Sequence, residues 1–304
     1  MTSRLGIVGT SAWAANVHGP AAAAHPDWEL TAVWGRSADK AAALGSTLGC
    51  AGATDFPSFL DSVDAVVFAV PPDVQAPLAI QAAKAGKHLL LEKPVALDAA
   101  QADQLVAAVG KAGVAGLVFF TRLWTPQSVA WLEDLRVTGG WESGHYDQVV
   151  ALPGDLLAAS PWRAERGALW DVGPHALSSL ERVLGPVTAV SATAGVRDLV
   201  HLSFTHAESV TSTAALCLTA VPEAVQNGAA FWGTAGSSLP LEGPFQPVDA
   251  AAAALTELHV QAVSGARPHP ADVSYGAHVV HVLAAAQSSL ATGAREQVPP
   301  FALA

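Results

Sequence analysis

The sequence is short of charge. Only 13% of its 304 residues are Asp, Glu, Lys or Arg, half the roughly 25% of an average globular chain. That scarcity excludes disorder, because a chain with mean hydropathy +0.34 buries enough surface to offset the entropy of ordering. Cations are the scarcer sign, with 15 Lys and Arg against 26 Asp and Glu and a net charge of −11. An acidic surface repels phosphate backbones, which excludes a basic nucleic-acid-binding face. Long apolar runs are also missing. None approaches the roughly 20 residues of a membrane-spanning helix, so the surplus Ala and Val belongs to packed helices and buried strands. Cysteine occurs only at Cys50 and Cys217. This excludes a disulfide framework, and a structural zinc would need about four ligands. Both read as buried free thiols. Arg4 to Ala15 mimics a secretion signal, but two glycines interrupt its apolar stretch, and the chain is expected to be cytoplasmic.

What is present is a repeating order. Leu5–Val8, Leu30–Trp34, Ala65–Val70, His88–Leu91 and Val114–Phe120 are apolar throughout, as strands covered on both faces of a parallel sheet are. Between them lie helical stretches: Asp39–Leu48 after Ser37, Val74–Ala85 before Gly86, and Asp98–Lys111 before Gly113, with caps that fit helix starts and stops. This order predicts an α/β fold with an N-terminal Rossmann doubly wound parallel sheet over residues 1–120. Past Thr121 the texture changes. Strands are expected at 140–152, 187–194, 196–205, 209–219 and 229–234, and helices at 126–137, 171–184, 249–263 and 272–290. Residues 121–304 therefore read as a C-terminal α+β domain with a largely antiparallel sheet.

The first strand runs into Gly9-Thr10-Ser11-Ala12-Trp13-Ala14. A dinucleotide loop places small residues here for a tight turn, for close approach of a pyrophosphate and for helix–strand packing. Gly9 and Ala14 fit. Ser11 replaces the middle glycine, and its hydroxyl can donate to a phosphate oxygen. The end of the second strand selects the coenzyme: an acid binds the ribose hydroxyl of NAD, and arginine takes the 2′-phosphate of NADP. Trp34-Gly35-Arg36-Ser37 has no acid, while Arg36, Ser37 and Lys40 gather cations and a hydroxyl. The expectation is NADP, with NAD possible.

Leu91-Glu92-Lys93-Pro94 closes the fourth strand, and ligands of open α/β sheets bind beyond such carboxyl ends. Partial burial of Lys93 would favour its neutral form and suit it to proton transfer near neutrality. Pro94 could allow a cis bond. A surface lysine after a strand is the plain alternative.

The Gly-rich βαβ start, Glu92-Lys93-Pro94 with Ala85-Gly86-Lys87-His88 upstream, and Gly167-Ala168-Leu169-Trp170-Asp171-Val172-Gly173-Pro174-His175 form an ordered set. It resembles the glucose–fructose oxidoreductase / inositol dehydrogenase / rhizopine catabolism (Gfo/Idh/MocA) family. The resemblance covers most of residues 1–185. It implies a Rossmann domain followed by a domain with an open, mostly antiparallel sheet, and pairing into homodimers or homotetramers through that sheet. Lys93 matches the family's catalytic lysine, and Asp171 and His175 its substrate-binding and proton-transfer pair. Residues i and i+4 share a helix face, the helix start favours Asp171 as an anion, and Pro174 must lie in a first turn. Pro71, Gln75 and Glu92 join Gly9, Ser11, Ala14, Arg36, Ser37, Lys40 and Lys93 as expected coenzyme contacts. Gln75 and Ser178 depart from the family's His and Asp. No metal is expected, since Asp171 and His175 alone do not make a site.

Arg122, Trp162 and Arg163 are candidate substrate-binding residues, because Arg suits hydroxyl or carboxylate groups and Trp can cover a sugar face. Interdomain packing is their alternative. His278 and His281 read as structural. The expected function is NADP(H)-dependent hydride transfer between nicotinamide and a secondary alcohol or ketone of a sugar, polyol or cyclitol-like molecule. The alternative is a non-catalytic dinucleotide-binding sensor of the same fold.

Overall fold

Apolar runs at regular intervals become the parallel strands of one sheet. The structure, a computed structural model, describes residues 3–154, 157, 160–241 and 246–303. Strands β1 (Ser3–Val8), β2 (Trp28–Trp34), β3 (Ala51–Ala53), β4 (Ala65–Phe68), β5 (His88–Leu91) and β6 (Gly116–Val118) are ordered β3-β2-β1-β4-β5-β6. All pairs are parallel. Leu5, Ile7, Val66, Val67 and Leu89 to Leu91 are all fully buried, so the runs are apolar because both faces are covered. Helices α1 (Gly19–Ala23), α2 (Ala38–Leu48), α3 (Phe56–Asp61), α4 (Pro72–Lys84) and α5 (Ala99–Ala112) connect them. Ser37 accepts from Lys40 N at 3.4 Å and Asp98 from Gln101 N at 2.8 Å, capping α2 and α5. Left-handed glycines, Gly49 and Gly113, end the same two helices.

Two elements of this sheet lie outside the sequence expectation. β3 is Ala-Gly-Ala, with no strand-favouring residue. Its glycine is needed for another reason: a Cβ on Gly52 would lie 2.6 Å from Ala42 N, so the backbone of α2 rests on it. The short α3 follows the cap of Asp55 on Ser58 N at 2.9 Å. The runs at 65–70 and 114–120 are strands only over 65–68 and 116–118.

The chain divides into two compact units, 1–125 with 245–277 and 126–244 with 278–304. A single cut at residue 120 therefore misses the return of 245–277 to the first unit. Within that unit α9 (Pro247–Ser264) is tied down by Trp28, whose Nε1 donates to Leu255 O at 2.9 Å.

The second unit carries α6 (Pro126–Thr138), α7 (Pro161–Asp171) and α8 (Gly173–Leu184) with strands β7 (Trp141–Val149), β8 (Ala189–Ala194), β9 (Val200–Thr205), β10 (Thr211–Cys217), β11 (Gln226–Gly233), β12 (Gly236–Ser237) and β13 (Glu296–Gln297). The order is β12-β11-β7-β10-β9-β8-β13. β7 and β10 run parallel and the other pairs antiparallel. The sheet is thus mixed, since the long connection through α7 and α8 permits a parallel pair. Helix α10 (Val273–Thr292) starts in the first unit and ends in the second.

Asp171 does not open the helix expected at 171–184. It closes α7, whose course is broken at Gly167 (φ 63°, ψ −162°), and α8 starts afresh at Gly173. The cause is Pro174, which has no N–H and fits only the first turn of a helix.

Both thiols are free, Cys217 buried and Cys50 half-buried, and burial raises both pKa values. His278 is buried and pairs with Glu181 at 2.7 Å, in a structural role. Among the described residues no helix is long and apolar enough to cross a membrane.

Buried neutral histidines make stability pH-dependent. His206 donates from Nδ1 to Gly185 O at 2.6 Å and faces Ser212 Oγ at 2.8 Å, and burial pushes its pKa below 6.5. Burial lowers His25 and His88 likewise. Below pH 6.5 the unfolded chain takes up protons that these native imidazoles refuse, so their contribution is complete above 6.5 and declines as pH falls toward the native values. The denaturant midpoint is expected to be lower at about pH 5.5 than at about 7.5, and His206→Gln to weaken that dependence. A midpoint independent of pH over this span would refute it.

Candidate functional site

The carboxyl ends of β1, β2, β4 and β5 carry the chemistry of the first unit. Strand order reverses between β1 and β4, where open α/β sheets bind ligands. Gly9 follows β1 with φ 125°, and a Cβ there would lie 2.4 Å from Ala69 O. Only glycine fits this close approach of two chain segments. Its N–H donates to Trp34 O at 2.9 Å. The helical segment that follows presents first-turn N–H groups without intrahelical acceptors, the ordinary anion site of a helix start. Ser11 has a different place from the one its sequence position suggested. Its hydroxyl donates to Ala69 O at 3.1 Å and accepts from Ala14 N at 3.3 Å. It locks the turn and caps the helix, and its proton is already committed.

At the end of β2, Arg36, Ser37 and Lys40 are all exposed. Ser37 Oγ is the cap of α2. Among the described residues neither Arg36 nor Lys40 has an ion-pair partner. The cradle at Gly9 and the helix start fit the pyrophosphate of a dinucleotide. Pro71 stands before α4, its carbonyl accepting from Gln75 N at 2.8 Å.

The turn after β5 is the most constrained part of the site. The Lys93–Pro94 peptide is cis, and Lys93 is half-buried. Gln75, expected at the coenzyme, is fully buried beneath this turn. Its Nε2 donates to the carbonyls of Glu92 at 2.7 Å and Pro94 at 3.3 Å, and its Oε1 accepts from Glu92 N at 2.8 Å. The Glu92 carboxylate is also engaged inside the unit. Oε1 lies 2.8 Å from His18 Nε2, and Oε2 accepts from Lys93 N at 3.3 Å. Sequence reasoning missed His18. It lies in no motif, and only the three-dimensional register brings it 74 residues along the chain to Glu92. Arg122 is half-buried in a short turn at Thr121–Leu123.

In the second unit, Asp171 is buried at the end of α7 and Arg163 Nε donates to its Oδ2 at 2.9 Å. A carboxylate closing a helix opposes the dipole, so the guanidinium replaces the stabilisation that a helix start would have given. Arg163 also donates to Ser160 Oγ at 3.0 Å and lies over the Trp162 ring at 4.7 Å. Trp162 itself is buried. Of the arginine and tryptophan expected at a substrate, Arg163 bonds Asp171 and Trp162 lies under its guanidinium. His175 is half-buried in the first turn of α8, and its carbonyl accepts from Ser178 and Ser179 at 3.1 and 3.0 Å. Asp171 and His175 flank a helix junction and do not share one helix. Among the described residues no cluster of three metal-ligating side chains exists.

A doubly wound sheet with a glycine turn at its first strand defines a nucleotide-binding class of protein. Residues 3–120 match the family model described as "Oxidoreductase family, NAD-binding Rossmann fold". The matched residues lie within the first unit. It is 40% identical over 105 residues to a dTDP-3,4-didehydro-2,6-dideoxy-alpha-D-glucose 3-reductase of Streptomyces violaceoruber, covering 34% of this chain and 31% of that protein. The solved structure of levoglucosan dehydrogenase with NADH and levoglucosan superposes with a TM-score of 0.84 at 19% identity, covering 99% of this chain and 100% of that one. KijD10, a 3-ketoreductase of Actinomadura kijaniata solved with NADP, gives a TM-score of 0.77 at 22% identity, covering 95% and 98%. At these identities the two structures establish the fold. In sequence, the chain spans 31% to 63% of the length of the curated relatives it matches.

Gln75→Leu is expected to destabilise the protein. It keeps the volume but removes the partners of two buried backbone groups of Glu92, at roughly 1–3 kcal/mol for each. Thermal unfolding should show a midpoint lower by several degrees; an unchanged midpoint would contradict the clamp.

Proposed function

We propose that this chain is an NADP(H)-dependent oxidoreductase acting on a secondary alcohol or ketone of a sugar, polyol or cyclitol-like molecule. The observation that carries the reading is Lys93, on a turn clamped by Gln75 at the carboxyl end of β5, in the same unit as the Gly9 cradle. The names of relatives, a ketosugar reductase and a levoglucosan dehydrogenase, support a carbohydrate-like substrate. When bound, the coenzyme supplies or accepts the hydride.

The chain's own residues do the rest. The helix start after Gly9 receives the pyrophosphate. Arg36 and Lys40 favour an extra phosphate, and no acid at the end of β2 competes for a ribose hydroxyl. Lys93 takes the hydroxyl proton in oxidation and returns it in reduction. Asp171 and His175 keep the roles that the family resemblance implies, binding substrate hydroxyl and sharing in proton transfer, with Arg163 holding the Asp171 carboxylate. The same reading extends to homodimers or homotetramers through the face of the second sheet where His201, Thr211, Thr213 and Trp232 are exposed.

Lys93→Met is expected to lower kcat at least tenfold on any sugar or cyclitol that is turned over, while coenzyme affinity stays within about twofold; general acid–base catalysis contributes roughly 10²–10⁴. Near wild-type turnover would remove Lys93 from the chemistry. Calorimetric titration should show NADP binding more tightly than NAD, with Arg36→Ala/Lys40→Ala costing NADP at least tenfold and NAD under threefold. Equal losses for both coenzymes would refute the phosphate assignment.

A further inference from the structure

His18 is a buried polar group in this unit that the reading above leaves without a task. It is 1% exposed and ends a π-helical turn, Ala14–His18, between the phosphate loop and α1. Such single wide turns are rare and concentrate at functional sites. Gly19 makes it feasible: its N–H bonds Ala14 O, and a Cβ there would lie 2.7 Å from that oxygen and 2.8 Å from Leu48 Cδ1. The imidazole packs edge-on against Phe119 with ring centroids 4.8 Å apart. Its Nε2 donates to Glu92 Oε1 at 2.8 Å, and its Nδ1 is buried with no hydrogen-bond partner. Glu92 is therefore the one polar anchor of the ring among the described residues.

From the side of Glu92 the pairing has a chemical consequence. One carboxylate oxygen is held by His18, the other by the backbone N–H of Lys93. The residue next in the chain is the lysine that must exchange a proton. Freed of that donor, the carboxylate can swing to the neighbouring lysine, and an ion pair with Lys93 would stabilise the ammonium and deplete the neutral amine that takes the hydroxyl proton. We propose that His18 is a positioning residue for Lys93: by donating into Glu92 it keeps that carboxylate off the lysine side chain. Gln75 fixes the backbone of Glu92 so that only the carboxylate can swing. The inference rests on the assignment of Lys93 as the proton-transfer group.

Competitive acylation of the protein without substrate, by acetic anhydride at about pH 8, reads the availability of Lys93 directly; mass spectrometry then compares it with the other four lysines. In His18→Phe, which preserves the ring against Phe119 but cannot donate, Lys93 labelling is expected to fall at least threefold while the other lysines are unchanged. His18→Gln, which can still donate, should stay within twofold of wild type. Adding Glu92→Gln to His18→Phe removes the carboxylate and should restore labelling. If the Phe variant does not fold, His18→Asn, too short to reach Glu92, gives the same comparison. A smaller fall, equal falls in the Phe and Gln variants, or no recovery with Glu92→Gln would overturn the proposal. An active Lys93→Met would instead refute the assignment of Lys93, whatever the labelling shows.

Discussion

A buried amide under a strand end is the constraint on which the first unit's site depends. The backbone of residues 92–94 leaves β5 and turns away from the sheet's ladder of hydrogen bonds. Gln75 supplies both a donor and an acceptor to that backbone from the first turns of α4. A primary amide donates and accepts at once without carrying charge. The turn is therefore rigid for a reason that carries no charge. This suits a neighbouring lysine, because a charged clamp at the same spot would bias its ionisation. Rigid support beneath a functional group is what holds it in a productive geometry.

Much of the first unit was legible in the sequence, because uninterrupted apolar runs have one physical meaning in a sheet covered on both faces. Ser37, Asp98, Gly86 and Gly113 marked helix ends where the backbone requires a side-chain acceptor or a left-handed residue. β3 was not legible, since Ala-Gly-Ala is selected for contact with α2 and not for strand preference. The return of 245–277 to the first unit was equally hidden, because a helix records its apolar face but not the sheet it covers.

The second unit shows where a correct residue can carry an incorrect argument. The family resemblance singles out Asp171 and His175, and the i, i+4 spacing was read as placing them on one helix face. Pro174 lies between them, and the junction at Val172 divides them. Placing Asp171 at a helix end then makes Arg163 necessary, and the arginine's bond to it is the local answer to an unfavourable dipole. His18 is the converse case: nothing in its sequence surroundings identifies it, and only the wide turn and the register of β5 bring it to Glu92.

The scarcity of cations gives the remaining ones meaning. Arg4 pairs with Asp64, Arg136 and Arg182 with Glu133, Arg163 with Asp171 and Arg267 with Glu257. Lys87 donates to Val63 O, and Lys84 and Lys111 stand in the last turns of α4 and α5, where the helix dipole favours them. Arg36 and Lys40 have none of these explanations. Lys40 is in the first turn of α2, the end of a helix where a cation is disfavoured, and Asp39 beside it offsets only part of that. In a chain with so few positive charges, two cations at the end of β2 without an ion-pair partner among the described residues, one of them against a dipole, are what supports the proposed preference for a phosphorylated coenzyme.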